Sequence, residues 1–164
     1  MEPQTDRIER EIRLKATFAR VWRALTDTKE FGSWFGVDLK GAFAPGAVMR
    51  GTLRPTTADA QVAAAQQAYA GRPWEVTVDR METEERFSFY WHPHAIETGV
   101  DYSVEPPTLV TFELIPLEEG TLLKVRESGF DRLPIARRAK AFRRNEEGWD
   151  TMLKVLARHL DQTK

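Results

Sequence analysis

The stretch from Pro134 to Leu160, PIARRAKAFRRNEEGWDTMLKVLARHL, constrains the fold more than any other part of the chain. Ile135, Ala139, Phe142, Trp149, Met152, Leu153, Leu156 and Leu160 recur three or four apart, apart from one longer step at Asn145 and Gly148. That period predicts one apolar stripe along an α-helix. A helix of this length runs roughly 40 Å at 1.5 Å per residue and crosses a whole small domain. A stripe that long needs a broad apolar surface to lie on, so the rest of the chain must supply a sheet.

The preceding residues read as that sheet. Arg7 to Lys15 alternates, with Ile8, Ile12 and Leu14 on one side and charged residues on the other, as in a strand with one wet face. Arg10 interrupts the inward set and is expected at the strand's frayed start. Thr17 then caps a helix with Val21, Ala24 and Leu25 as its stripe, and Thr28 caps a shorter one over Lys29 to Trp34, closed by Gly36. Strands are expected at Val37 to Phe43 and Ala47 to Leu53, turned at Ala44-Pro45-Gly46. Thr56 to Tyr69, rich in Ala and Gln, predicts a short surface helix capped by Thr57 or Asp59 and ended by Gly71. Two hairpins follow, Pro73–Met81 with Arg86–Trp91 and Thr108–Pro116 with Gly120–Phe130, separated by a loop from His92 to Pro107. The order is strand, two short helices, six more antiparallel strands, one long helix. It predicts an α+β fold, a curved antiparallel sheet of six to seven strands around the C-terminal helix.

Bulk properties narrow the function classes. The 164 residues fit one domain, expected to span 1–164. The formal net charge of −1 provides no global field for nucleic acid or an anionic membrane. The chain has no cysteine, which removes disulfides, thiol nucleophiles and zinc–thiolate sites. No apolar run is long enough for a membrane span, and the N-terminus has no apolar signal segment, so a cytoplasmic location is expected. The basic start of the long helix, Arg132, Arg137, Arg138, Lys140, Arg143 and Arg144, sits beside Glu146 and Glu147 and reads as a solvated face. G-x-S-x-G, phosphate-cradling glycine loops and dinucleotide fingerprints do not occur.

Several segments together resemble a known family. They are VWRALTD (Val21 to Asp27), Trp34-Phe35-Gly36, the APG turn, FSFYWHP (Phe87 to Pro93), TLVTFELIPLEEGTLLKVRESGF (Thr108 to Phe130) and NEEGWDTMLKVLARHL. The chain resembles the START-like, or SRPBCC, superfamily, in the branch of homologues of the activator of the Hsp90 ATPase. The resemblance implies a helix-grip fold. It also implies function classes that differ widely: lipid carriers, hormone receptors, polyketide cyclases and aromatases, and chaperone activators. Fold therefore does not decide among them.

The residues themselves suggest where chemistry could reside. Glu127 alternates with Leu123 and Val125 and so faces the helix, where a carboxylate is costly unless paired. It is either a ligand-orienting or proton-transfer group, or a rim carboxylate bonded to Arg, Asn or Trp side chains. Asn145 lies one turn before Trp149 and is expected to bond a strand carbonyl or Glu127; Gly148 suggests close approach of helix and sheet. His92 and His94 flank Pro93, with Glu97 and Asp101 nearby, but without recognised metal spacing, so no metal and no cofactor is expected. A dense aromatic set predicts mostly core, with Trp74, Phe89, Trp91, Phe112 and Phe142 the candidates for a pocket lining. The residues expected to meet a ligand are Trp74, Phe89, Trp91, His92, Phe112, Glu127, Phe142 and Asn145, and none is assigned a catalytic role. The leading expectation is a binding module for a small hydrophobic or aromatic molecule, held between sheet and helix. The resemblance adds two others: a partner of a chaperone in stress, and a cyclase- or aromatase-like enzyme using Glu127 and a histidine.

Overall fold

A computed structural model describes residues 6–93 and 100–163. Seven strands form one antiparallel sheet: β1 (Arg7–Leu14), β2 (Val37–Leu39), β3 (Val48–Leu53), β4 (Pro73–Glu82), β5 (Arg86–Trp91), β6 (Thr108–Leu117) and β7 (Gly120–Ser128). Their spatial order is β1-β7-β6-β5-β4-β3-β2, so the first strand closes onto the last and consecutive strands pair elsewhere. Helices α1 (Phe18–Thr26) and α2 (Thr28–Phe35) fill the connection between β1 and β2, and α3 (Ala60–Gln66) lies between β3 and β4. The long α4 (Ile135–Gln162) crosses the inner face and touches β1 and α2. This is the expected helix-grip α+β architecture.

Alternation explains the core. Phe87 and Phe89 on β5, Val110 and Phe112 on β6, and Leu123 and Val125 on β7 all point inward and are buried. α1 supplies Val21, Ala24 and Leu25, and the indole of Trp34 donates to the Ala24 carbonyl at 2.8 Å, which locks α2 onto α1. Gly36 ends α2 at φ 98°, and a Cβ there would lie 2.6 Å from the Arg54 carbonyl oxygen, so only glycine makes this turn.

Local chemistry shifts several expected boundaries. The α2 cap is Asp27, which accepts from the Glu30 N–H at 3.0 Å, while Thr28 donates its hydroxyl to Gly41. Asp59 caps α3, which is shorter than expected because Thr56 bonds backward to Ser33 and holds the preceding residues off the helix. β2 stops at Leu39, although Phe43 beyond it is buried. Arg10 is not at a frayed end. It points inward toward α4 and pairs with Asp150 at 2.8 Å and Glu146 at 3.2 Å.

The register of α4 also differs at its start. Ile135 is 83% exposed and Ala139 is exposed. The inward line runs instead through Ala141, Asn145, Trp149, Leu153 and Leu156. Before Ala141 the helix lies over connecting segments rather than the sheet. There Arg138 donates to the carbonyls of Asp131 and Leu133, at 2.7 and 2.9 Å. At the other end His159 Nε2 sits 2.8 Å from Glu30 Oε1, and Gln162 donates to the Ala58 carbonyl at 3.0 Å.

Gly148 does not mark a close approach, since a Cβ built there meets no atom within 4 Å. Its backbone freedom is therefore a cost without a packing return. Gly148→Ala is expected to raise stability by about 0.5–1 kcal/mol in chemical denaturation, the usual helix-interior difference. A loss of stability would contradict the open space seen at this position.

Candidate functional site

The polar centre of the inner face is Glu127. It is fully buried, near the end of β7, opposite Val110 of β6 and Ile8 of β1. Four side chains from three other elements converge on its carboxylate. Trp91 at the end of β5 donates its indole N–H to Oε2 at 2.7 Å, and Thr108 at the start of β6 donates its hydroxyl to the same oxygen at 2.6 Å. From α4, Trp149 donates its indole N–H to Oε1 at 2.9 Å, and the Asn145 amide reaches Oε1 and Oε2 at 2.9 and 3.0 Å.

These donors use the acceptor capacity of a carboxylate, which offers about four lone-pair sites. None of the four carries a charge. Burial is the largest influence on Glu127 and pushes its carboxyl above the ordinary value of 4.5, while the bonds from Thr108, Trp91, Trp149 and Asn145 pull it back in part. The group is thus a polar pin that ties the helix to three strands.

Around the pin the aromatic rings form two sets. Phe87, Phe89 and Phe112 have no exposed surface and are core. Trp149 stacks on Trp91 at 5.8 Å and meets Phe112 edge-on at 5.7 Å, which closes the helix onto the sheet. The second set is half-buried. Phe35 from α2, Trp74 from β4 and Trp91 from β5 surround one another, with centroids 5.7 Å apart for Phe35 and Trp74, 6.0 Å for Phe35 and Trp91, and 6.3 Å for Trp74 and Trp91. Their rim continues the core outward rather than ending it.

The structure brings Trp74, Phe89, Trp91, Phe112, Glu127 and Asn145 into one connected cluster. Phe142 stands apart and packs edge-on against Phe130 at 5.1 Å. His92 follows Trp91 at the end of β5, and its Nδ1 is buried without a hydrogen-bond partner among the described residues. His94 and Glu97 lie outside the described residues. Asp101 accepts from the Ser103 hydroxyl and N–H, which hold its carboxyl below the ordinary carboxylate value. Among the described residues no group of three or more metal-ligating side chains occurs.

Three members were not among the residues expected to meet a ligand. Thr108 continues the inward run of Val110, Phe112 and Leu114 by one step, and a hydroxyl in that run is the signal for it. Phe35 and Trp149 belong to the aromatic set expected to be mostly core; their neighbours show that Phe35 borders the rim and that Trp149 is one of the Trp donors expected for Glu127. Beyond the cluster, Arg137 of α4 spans the loop side. It pairs with Glu105 at 2.8 Å, donates to the Pro93 carbonyl at 2.8 Å and lies over the Tyr102 ring at 4.8 Å.

A family model described as activator of Hsp90 ATPase homolog 1-like protein matches residues 15–161. The chain belongs to this family. Its match includes every element from α1 to the end of the inward face of α4. No curated protein matches the sequence. Among solved structures, protein MLL2253 from Mesorhizobium loti superposes with a TM-score of 0.70 at 20% identity, covering 96% of this chain and 98% of that one. DynU16, titled a putative protein in the dynemicin biosynthetic locus, gives 0.66 at 26% identity over 97% of this chain but 48% of its own. The Aha1 dimer from Colwellia psychrerythraea gives 0.64 at 16% identity, with 94% and 95% covered. The low identities of the first and third establish a shared fold and no more. No helix of the described residues is long and apolar enough to cross a membrane.

Two measurements follow from the pin. Trp149→Ala is expected to cost about 3–5 kcal/mol, as for other buried large aromatics. Trp149→Phe keeps the ring but strips one donor from a buried carboxylate and is expected to cost about 1–3 kcal/mol. A Trp149→Phe protein as stable as wild type would show that the indole N–H contributes nothing. The second concerns pH. A raised folded-state value means the folded protein holds this proton more tightly than the unfolded chain. The contribution of Glu127 is then fully present below the unfolded value and is lost as pH rises from 4.5 through the folded one. The unfolding free energy of wild type minus that of Glu127→Gln should fall from pH 4.5 upward, and a flat or rising difference would contradict the shift.

Proposed function

We propose that the protein binds a small hydrophobic or aromatic molecule against Phe35, Trp74 and Trp91, at the edge of the pinned helix–sheet interface. The observation that carries this reading is the half-buried state of these three rings. Three large aromatics from three elements meet with surface still open, next to a core in which comparable rings are fully covered. Apolar surface left open at such a junction gains by receiving an apolar ligand. The indole of Trp91 is already fixed by its bond to Glu127, so the rim needs little ordering on binding. Glu127 and Asn145 support the rim from behind in this reading.

The enzyme reading finds less support. The oxygens of Glu127 are taken up by Trp91, Thr108, Asn145 and Trp149, and a general acid or base needs access to its substrate's proton. The chaperone reading rests on the family description, Activator of Hsp90 ATPase homolog 1-like protein, and on fold.

Native mass spectrometry of protein purified from its own host tests the binding reading. A copurifying small molecule is expected, with tryptophan fluorescence changing on its return to stripped protein. Trp74→Ala should weaken rebinding by about tenfold, as for loss of one ring contact, while the protein stays folded. Absence of any bound molecule, together with unchanged fluorescence across a panel of aromatic compounds, would overturn it. Copurification of the host's Hsp90 in place of a small molecule would favour the chaperone reading.

A further inference from the structure

The outer face of the sheet holds a trough of about 850 Å³ on the side away from Glu127, lined among the described residues by strand residues alone. It is lined by charged residues of both signs, among them Glu9, Glu11, Lys124, Arg126, Glu113 and Arg86. The strand register orders them. Glu11 of β1 faces Lys124 of β7, Lys124 faces Glu113 of β6, and Glu113 faces Arg86 of β5. One row across four strands therefore reads minus, plus, minus, plus.

We propose that this face is a self-association surface whose occupant is a second copy of the chain, related by a two-fold axis parallel to the strands and lying between β6 and β7. A half-turn about that axis places Lys124 opposite Glu113 of the partner and Glu11 opposite Arg86 of the partner, and the same pairs again in reverse. Every charge in the row meets its opposite. In the next row, Glu9, Arg126, Thr111 and Ser88 are aligned by the same register. There the axis sets long side chains over short ones, Arg126 over the partner's Thr111 and Glu9 over the partner's Ser88.

The ion pairs seen within one copy leave the charges available. Arg86 to Glu113 and Arg126 to Glu9 are both 3.6 Å apart and well exposed. Four strands about 4.8 Å apart and four rows of side chains about 6.8 Å apart give a patch of only about 500 Å² of flat sheet per copy, about 1,000 Å² in all, at the low end for a specific interface. The dimer is consequently weak and sensitive to salt.

Sedimentation of the full chain at about 100 µM in low salt tests this, with dissociation expected as salt rises to about 0.5 M. Lys124→Glu and Glu113→Lys should each weaken self-association by about tenfold or more, because each puts like charges opposite one another twice. An equimolar mixture of the two variants should associate again as a heterodimer, since Glu at 124 then meets Lys at 113 and the unaltered Glu113 meets Lys124. Circular dichroism confirms that both variants are folded. A wild type that is monomeric under these conditions overturns the proposal. So does a dimer indifferent to both reversals, or a mixture that fails to reassociate.

Discussion

A carboxyl group with no solvent contact sits at the centre of this fold, and the surroundings are arranged to make that tolerable. Removing a carboxylate from water is costly unless donors replace the lost hydration. Glu127 receives those donors from the ends of β5 and β6 and from the middle of α4. Helix position, helix rotation and the convergence of three strand ends are therefore coupled. Rotating α4 by one residue would withdraw Asn145 and Trp149 together and leave the carboxyl unmet. Apolar packing alone tolerates small slips of a helix; a buried polar group with directional partners does not.

The consequences run outward along the helix. Its C-terminal half is held by Trp149, Leu153 and Leu156 and by the contacts of His159 and Gln162 with α2 and the residues before α3. Arg10 adds a second polar tie from β1 to Glu146 and Asp150. The N-terminal turns lack apolar anchorage and depend on Arg137 and Arg138, which bind loop carbonyls and Glu105. With the rings behind the pin fully covered, open aromatic surface is left at the rim of Phe35, Trp74 and Trp91. Specific recognition is best sought there.

Much of this was legible in the sequence because period and alternation report directly on which face is buried. The element order, the inward set on β5 to β7 and the inward direction of Glu127 all follow from them. That Asn145 bonds across to the sheet follows from a poor helix former placed one turn before a tryptophan; the structure selects Glu127 over a strand carbonyl. What period could not report is where the partner surface ends. Ile135 fits the spacing yet is exposed, because the first turns lie over connecting segments and not over the sheet. Arg10 looked like an interruption because its partners lie 136 and 140 residues away. Gly148 suggested crowding, yet the space beside it is open. Thr108 shows in the sequence only as a hydroxyl in an inward run; that it meets Glu127 depends on the cross-strand register and not on its own neighbours.

The indole resonances of Trp91 and Trp149 give the most direct test of the pin. In ¹⁵N-labelled protein both N–H signals should lie downfield and exchange slowly with water, as donors to a dry carboxylate do, and both should move together in Glu127→Gln. Fast exchange of either indole with solvent, or a response of only one of them, would contradict a buried carboxyl holding helix to sheet.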